Sequence, residues 1–315
     1  MPYITGQANS PADVLAALQS ALAANGWAND GAVYYKGGCY VRLEAVNIAT
    51  GTDVQNVLRL VAGNGVSGGA LVDAAPSGQA LGQIVQNTAY SVAWPAAYNI
   101  HINAAPDEVY VFVNYDVSYW QWIAFGKSPV PALPGSGVWS SGTFGVPVSG
   151  GADSGSRWPR IVMTETTGSA DTSNGASFAP ALFWNTEQYV NAVKGHTSII
   201  HHGLDSGGWT FLAPASLPAA PYIAISPAAW NQEAILIPIR PMFARASSKV
   251  SLIAELAHAR YIRNDNYDDG QILTLGTDHW RVYPWYCKNT AGRGGSESPL
   301  NHSGTFAVAL RYDGP

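Results

Sequence analysis

Histidines are concentrated in one short stretch of the sequence. In KGHTSIIHHGLD, the potential metal ligands His196, His201, His202 and Asp205 lie within ten residues. Neutral imidazole and carboxylate both bind transition metals. However, the spacing matches no standard zinc pattern, and adjacent histidines seldom bind one ion. These residues are weak candidates for a metal site, and we expect loop histidines, no metal and no cofactor.

Two glycine-dependent motifs overlap in a second stretch. Residues 63–68, GNGVSG, match the dinucleotide-binding pattern, and residues 65–69, GVSGG, match the nucleophile elbow of hydrolases. No acidic residue occurs between Asp73 and Asp107 to hold a ribose. One loop cannot serve both chemistries. The sequence therefore predicts a flexible or tightly turned glycine loop with no catalytic role.

Carboxylates form no recognisable catalytic pattern. Residues 265–270, DNYDDG, fail the calcium-loop pattern because Tyr267 occupies a ligand position, and they predict an Asx-rich turn. A glycosidase needs two carboxyl groups at a set separation in space, which spacing along the chain does not give. We therefore expect that the protein is not an enzyme. The acids available for such a pair are Asp107, Glu108, Asp116, Glu165 and Glu187.

Aromatic residues are abundant, with 11 Trp and 16 Tyr. Aromatic platforms could bind sugars, but alternation within strands favours a core or a subunit interface. The tryptophans that we take as interface candidates are Trp120, Trp122, Trp139, Trp158, Trp280 and Trp285.

The composition bounds the class of protein. Charged residues make up 12% of the chain, about half the usual share, which suits a surface covered by permanent contacts or a Ser/Gly-rich β protein. The net charge of -5 argues against nucleic-acid binding. No apolar run approaches the ~18 residues of a membrane span. Cys39 and Cys287 are too few for a disulfide framework and predict small buried side chains.

Local patterns predict an α+β, β-rich fold. Ser10, Pro11 and Asp13 form a helix start, apolar residues recur at helical spacing to Leu22, and Asn25 with the next glycine ends the helix. Period-two segments then follow, including a hairpin turn at residues 36–38. We expect the N-terminal amphipathic helix to pack on an antiparallel sheet within residues 1–127.

Residues 128–230 are rich in Gly, Pro and Ser and predict an insertion or an arm laid over a neighbour. Residues 231–315 predict a C-terminal β part that packs with residues 1–127. In it, residues 271–285 form a hairpin with a turn at Thr277-Asp278, and residues 304–312 supply its ladder partner. We expect these hairpins to complete the sheet begun near the N-terminus. Pro238 and Pro241 restrict the preceding segment to a sheet edge or arm.

Both ends of the chain also resemble a known group of proteins. The segments NDNYDDGQILTLGTDHWRVYPWY and NHSGTFAVALRYDGP are similar to the C-terminus of tailed-bacteriophage virion proteins. The opening ITGQANSPADVLAALQSALAANGW is similar to the start of the same kind of protein. The resemblance implies a virion structural component of the tail or baseplate and carries no catalytic residues.

These features predict a subunit that is made in the host cytoplasm and incorporated into the virion. Its expected partners are other copies of itself and neighbouring virion proteins, without nucleic acid or a membrane span. Residues 1–239 carry a net charge of -7 and residues 240–315 of +2, which favours head-to-tail contacts. The alternative is a tail-tip module that binds a host-surface glycan, and a hydrolase ranks last.

Overall fold

The computed structural model describes residues 2–50, 53–83, 92–147, 182–183, 198–211, 235–245, 247, 249–291 and 303–314. Within these ranges the chain has one α-helix, α1 (Pro11–Ala24), and a short 3-10 turn (Leu204–Ser206). The strands are β1 (Tyr3–Ala8), β2 (Ala28–Asp30), β3 (Val33–Lys36), β4 (Cys39–Thr50), β5 (Asp53–Gly63), β6 (Gly65–Ser67), β7 (Ala70–Val72), β8 (Ser77–Gly82), β9 (Ala96–Asn103), β10 (Glu108–Asp116), β11 (Tyr119–Lys127), β12 (Val138–Gly142), β13 (Phe144–Pro147), β14 (Ser198–His201), β15 (Trp209–Phe211), β16 (Ile237–Ile239), β17 (Met242–Arg245), β18 (Lys249–Leu252), β19 (Leu256–Arg263), β20 (Ile272–Leu275), β21 (Asp278–Pro284) and β22 (Phe306–Arg311).

The N-terminal helix begins and ends where local sequence predicts. The Ser10 hydroxyl accepts a hydrogen bond from the Asp13 backbone N–H at 3.2 Å, and Pro11 occupies the first turn. Asn25 caps the C-terminal end, and Gly26 follows with a φ of 77° that glycine adopts without strain. The apolar face is buried through Val14, Leu18, Ala21 and Leu22.

Three antiparallel sheets form layers. The central sheet has the order β1-β9-β10-β11-β12-β14-β15, the N-terminal sheet the order β13-β8-β5-β4-β3-β2, and the C-terminal sheet the order β16-β19-β22-β21-β20. Two small hairpins, β6–β7 and β17–β18, complete the described strands. The predicted β-rich α+β class, with a helix on an antiparallel sheet, is confirmed.

The central sheet is buried on both faces. Along β10, Val109 and Val111 pack in the cluster that contains the helix and the N-terminal sheet. The intervening Tyr110 and Phe112 pack with the C-terminal sheet, where the Phe112 ring stacks on Tyr283 at 4.4 Å between centroids. Since successive side chains of a strand point to opposite faces, one strand supplies two cores.

The predicted hairpins are present, with one shift. The β3–β4 turn lies at Gly37 and Gly38, which both have positive φ as a tight two-residue turn requires. The β20–β21 hairpin is confirmed, and β22 is its ladder partner. Its turn is Gly276-Thr277, because Leu275 pairs with Asp278.

The C-terminal strands do not complete a sheet begun near the N-terminus. Strand β21 pairs with β20 on one side and with β22 on the other, and β22 also pairs with β19. Both edges of β21 and both edges of β22 are therefore occupied by strands of the C-terminal part. The C-terminal sheet therefore meets the central sheet face to face. The strands of residues 1–127 also divide between the central sheet, the N-terminal sheet and the small β6–β7 hairpin, where the sequence predicted one sheet.

Part of the predicted insertion is core sheet. Strand β12 is fully buried in the central sheet, β13 joins the N-terminal sheet, and β14 and β15 extend the central sheet. The composition misleads here because close approach of the layers requires small residues. A Cβ on Gly142 would lie 2.8 Å from the Gln79 Cβ. Residues 148–181, 184–197 and 212–230 of the predicted arm lie outside the described residues.

Candidate functional site

A hydroxyl, an imidazole and a carboxylate meet at one end of the central sheet. The β6–β7 hairpin places Asn64 and Asp73 at its base, where the Asn64 N–H donates to the Val72 carbonyl at 2.9 Å. Ser136 precedes β12, and His201 ends β14. No motif joins these residues, because they come from three separate segments.

The imidazole is held by its neighbours in a defined tautomer. The Ser136 backbone N–H donates to His201 Nδ1 at 3.0 Å, so Nδ1 is the unprotonated nitrogen. His201 Nε2 then carries the proton and lies 3.7 Å from Asp73 Oδ2. This pair is longer than a direct hydrogen bond. The Asp73 side chain is 57% exposed, so solvent reaches it.

The hydroxyl of Ser136 is not activated as a nucleophile. Its Oγ donates to Asn64 Oδ1 at 2.5 Å, whereas His201 Nδ1 is 3.3 Å away and already accepts the backbone N–H. A serine nucleophile requires a base that can take its proton. Asn64 also donates to the Asp73 carboxylate through Nδ2. The four side chains thus form a hydrogen-bonded group with a carboxylate facing water.

Trp209 adds an aromatic surface to this group. Its ring lies 5.2 Å from the His201 ring between centroids, and its Nε1 donates to the Asp73 carbonyl at 2.9 Å. The residue is half-buried at the start of β15. A partly exposed indole can stack on an apolar ligand face, and the exposed Asp73 carboxylate beside it can accept hydrogen bonds from ligand hydroxyls.

The predicted metal ligands do not converge. His202 is buried, its Nδ1 accepts the Leu204 N–H at 3.0 Å, and its ring lies 4.2 Å from Phe243. Burial lowers the His202 pKa to about 4. Asp205 pairs with Arg245 at 2.7 Å. Within the described part of the chain, no three His, Cys, Asp or Glu residues form a metal-binding group, and His196 lies outside it.

The glycine-rich segment forms a tight turn. Residues Gly68 and Gly69, with φ of 57° and 76°, form the turn between β6 and β7. A strand follows the glycines, where both the dinucleotide-binding pattern and the nucleophile elbow need a helix. The overlap of two motifs therefore reflects a hairpin. Likewise, residues 265–270 form the predicted turn, in which Asp265 makes a bidentate pair with Arg263.

Among the candidate acids, Glu108 has the most unusual environment. Its carboxylate is fully buried and accepts hydrogen bonds from the Tyr110 hydroxyl at 2.8 Å and from the backbone N–H groups of Ala257 at 2.8 Å and His258 at 3.0 Å. Burial raises the Glu108 pKa to about 7, although these hydrogen bonds and Arg260 oppose the rise. Glu108 therefore ties β10 to β19 across two layers.

The remaining candidate acids do not form a pair with Glu108. Asp107 forms an ion pair with Lys36 at 2.8 Å, and exposed Asp116 caps its own turn by accepting the Val117 N–H at 2.7 Å. Glu165 and Glu187 lie outside the described residues.

A second buried titratable group ties the central and C-terminal sheets. His101 Nε2 lies 2.8 Å from the Tyr283 hydroxyl, and the His101 ring is 5.0 Å from the Tyr3 ring between centroids. Burial, reinforced by Arg281, lowers the His101 pKa to about 3, so the ring is neutral. Arg281 itself lies over Tyr3 at 4.9 Å and over Tyr312 at 5.6 Å.

For the described tryptophans among the interface candidates, the structure supports the core, which is one of the two alternatives that the sequence left open. Trp122 and Trp285 are fully buried with ring centroids 5.2 Å apart, and Trp122 Nε1 donates to the Trp285 carbonyl at 3.1 Å. Trp139 is fully buried, and Trp120 and Trp280 are nearly so. Four of them lie in the cluster between the central and C-terminal sheets, namely Trp120, Trp122, Trp139 and Trp285. Trp280 packs instead with Ile262 and Val282 in a separate cluster of the C-terminal sheet. Trp158 lies outside the described residues.

The cysteines are both free and buried, as predicted. Among the described residues, no helix is long and apolar enough to cross a membrane. No protein-family model matches the sequence, and no curated protein is significantly similar to it.

Proposed function

We propose that this chain is a structural subunit of a tailed-bacteriophage virion, in the tail or the baseplate, and that it acts by assembly. It would be made in the host cytoplasm and would contact other copies of itself and neighbouring virion proteins. The resemblance at both ends of the sequence supports this setting. The low share of charged residues, 12%, suits a surface that assembly covers.

The observation that carries the proposal is the outer strand of the C-terminal sheet. This sheet contains the segment that resembles virion proteins, and its last strand, β20, exposes Ile272 by 42% and Leu275 by 47%. Apolar side chains on an open sheet edge favour pairing with another chain. Contacts with neighbouring subunits in a particle would bury these apolar side chains.

The use of the polar groups supports an assembling protein over an enzyme. Glu108 and His101, two buried groups with strongly shifted pKa values, hydrogen-bond between layers of the same chain. In the His201 group, the Ser136 proton is directed to Asn64. These groups stabilise the architecture, and none of them presents a free base beside a nucleophile.

Cross-linking mass spectrometry on intact particles tests the proposal. Particles purified from the host that produces the chain should contain it, with cross-links between its copies or to neighbouring virion proteins. Lys249, on the surface hairpin β17–β18, is an available lysine for such chemistry. Absence of the chain from particles, together with a monomer at high concentration, would overturn the proposal.

A second candidate function is recognition of a host-surface glycan. The observation that favours it is the half-buried Trp209 beside His201 and the exposed carboxylate of Asp73. Host polysaccharide should then change tryptophan fluorescence in the native chain, and Trp209→Ala should abolish the change. Trp94→Ala is the matched control, because Trp94 is half-buried against the same cluster as Trp209, whereas the contacts with His201 and Asp73 belong to Trp209. An unchanged response in Trp209→Ala would refute this candidate.

A further inference from the structure

The outward edge of β20 has the features of an unprotected edge strand. No described strand pairs with its outer side. Its four residues include neither Pro nor a charged side chain. The opposite edge of the same sheet, β16, contains Pro238 and a register shift beside it, both of which hinder pairing. Strand β16 therefore carries features that hinder pairing with another strand, whereas β20 carries none of them and is unpaired on its outer side among the described residues.

The register of the β20–β21 hairpin shows which backbone groups point outward. The Val282 N–H donates to the Gln271 carbonyl at 2.9 Å, so residue 271 is inward-bonded. Hydrogen-bonded and non-hydrogen-bonded positions alternate in an antiparallel ladder. Residues Leu273 and Leu275 therefore bond to β21, and Ile272 and Thr274 direct their N–H and C=O groups away from the sheet.

Two carboxylates near this edge are engaged within the chain. Asp278, at the end of the hairpin turn, pairs with Arg311 at 2.6 Å. Asp269 accepts a hydrogen bond from the Trp120 indole at 3.1 Å and so faces the central sheet. The strand itself is uncharged, so two copies of it can approach without like-charge repulsion between their strand residues.

We infer that β20 pairs antiparallel with β20 of a second copy of this chain, around a twofold axis through Leu273. This inference rests on the proposed assembly function and specifies one of its contacts. A twofold axis perpendicular to a sheet keeps each residue on its own face. Ile272 of one copy then lies opposite Thr274 of the other, and their outward N–H and C=O groups exchange hydrogen bonds.

The side chains favour this register. Leu273 and Leu275 lie on the face of the sheet that carries Trp280 and Val282, because Leu273 pairs directly with Trp280. Twofold pairing brings the leucines of both copies together on that face and covers the exposed part of Leu275. Strand β20 has only four residues, so we expect the dimer to be weak in solution. In a particle, contacts with neighbouring subunits would strengthen it.

Amide hydrogen exchange measured over a range of protein concentrations tests the pairing directly. In the monomer, the Leu273 and Leu275 amides are protected by β21, whereas those of Ile272 and Thr274 exchange freely. On self-association the Ile272 and Thr274 amides should become protected as dimer forms in sedimentation velocity. Exchange at these two amides that does not change with concentration would overturn the inference.

Two variants give an independent readout. Thr274→Pro removes an outward N–H without removing a β20–β21 bond and should weaken self-association by about 10- to 100-fold. Thr274→Val, which keeps the N–H, is the matched control. Ile272→Lys should also weaken association, with Ile235→Lys as control because Ile235 is 45% exposed outside the strand.

The outcomes separate this inference from the proposed function. Self-association that survives both Thr274→Pro and Ile272→Lys would refute β20 pairing and leave assembly through another surface intact. A monomer at every concentration that is nevertheless found cross-linked in particles would also refute it, while supporting the virion role. Loss of dimer in Thr274→Pro but not in Thr274→Val would support it.

Discussion

Replacing Glu108 with Gln should remove a specific pH dependence from the stability of the protein. Glu108 is buried at the junction of β10 and β19, and burial raises the pKa of its carboxyl to about 7 from the ordinary 4.5. The folded protein therefore holds a proton that the unfolded chain loses as pH rises above 4.5. The free energy of unfolding must therefore fall as the pH rises from 4.5 to about 7.

The size of the change in unfolding free energy follows from the shift in the Glu108 pKa. A difference between about 7 and 4.5 corresponds to about 3 kcal/mol of unfolding free energy. Glu108 contributes this stability fully below pH 4.5 and loses it by about pH 7. His101 and His202 act in the opposite direction, because their folded pKa values are lowered. Subtracting the variant from the native protein removes their contribution, since both proteins contain them.

The assay is urea unfolding of the native protein and Glu108→Gln at a series of pH values from 4 to 8 (roughly the range of the window). The native-minus-variant difference should decline by about 3 kcal/mol between pH 4.5 and 7 and stay level above it. Tyr110→Phe removes a donor that lowers the Glu108 pKa, so it should extend the decline to higher pH.

Glu255→Gln is the matched control, because Glu255 is a surface carboxylate paired with Arg240 at 2.7 Å. Loss of such a surface pair should change stability by about 0–1 kcal/mol. A difference curve for Glu108→Gln that is flat, or that rises with pH, would refute the reasoning. It would mean that the two backbone donors and Arg260 outweigh burial and keep the folded carboxylate ionised.

Further predictions concern the core, the helix and the thiols. Trp122→Ala should destabilise the protein by about 3–5 kcal/mol in urea unfolding, whereas Val117→Ala, at an 84% exposed site, should stay within about 0.5 kcal/mol. Relative to His101→Gln, the native protein should lose stability as pH falls below 6.5, because protonation of the buried ring opposes folding. Ser10→Ala should lower stability by about 1 kcal/mol through the lost cap, as measured by thermal unfolding. Cys39 and Cys287 should resist alkylation in the folded protein because both are buried, and burial raises the pKa of Cys287 to about 11. Both should react after denaturation, and intact-mass measurement would count the alkyl groups added.

Local chemistry explains what could be predicted from sequence. The helix was predictable because Ser10 and Gly26 act within one turn of its ends. The β3–β4 and β20–β21 hairpins were predictable because a two-residue glycine turn fixes the pairing of the flanking strands. Pro238 correctly indicated an edge strand, since it cannot donate to a ladder.

Long-range packing explains what was missed. Strand β12 looks like a linker because its serines and Gly142 must fit between layers, and composition does not distinguish tight packing from a loop. The group around His201 draws Asn64, Ser136 and Trp209 from distant segments, and no spacing along the chain relates them. The metal hypothesis gave His201 and His202 one role, but they follow each other in an extended segment and face different partners.

The sequence by itself therefore determined the β-rich class, the helix, the presence of the two hairpins and the absence of a disulfide framework, because these depend on composition and on neighbours along the chain. Only the tertiary structure decided that the described strands form three layered sheets, that four of the tryptophans lie between two of those sheets, and that no described strand pairs with the outer edge of β20. Those outcomes depend on which faces and edges remain uncovered after every strand has found its partner. Pairing between distant strands settles that, and no local pattern encodes it.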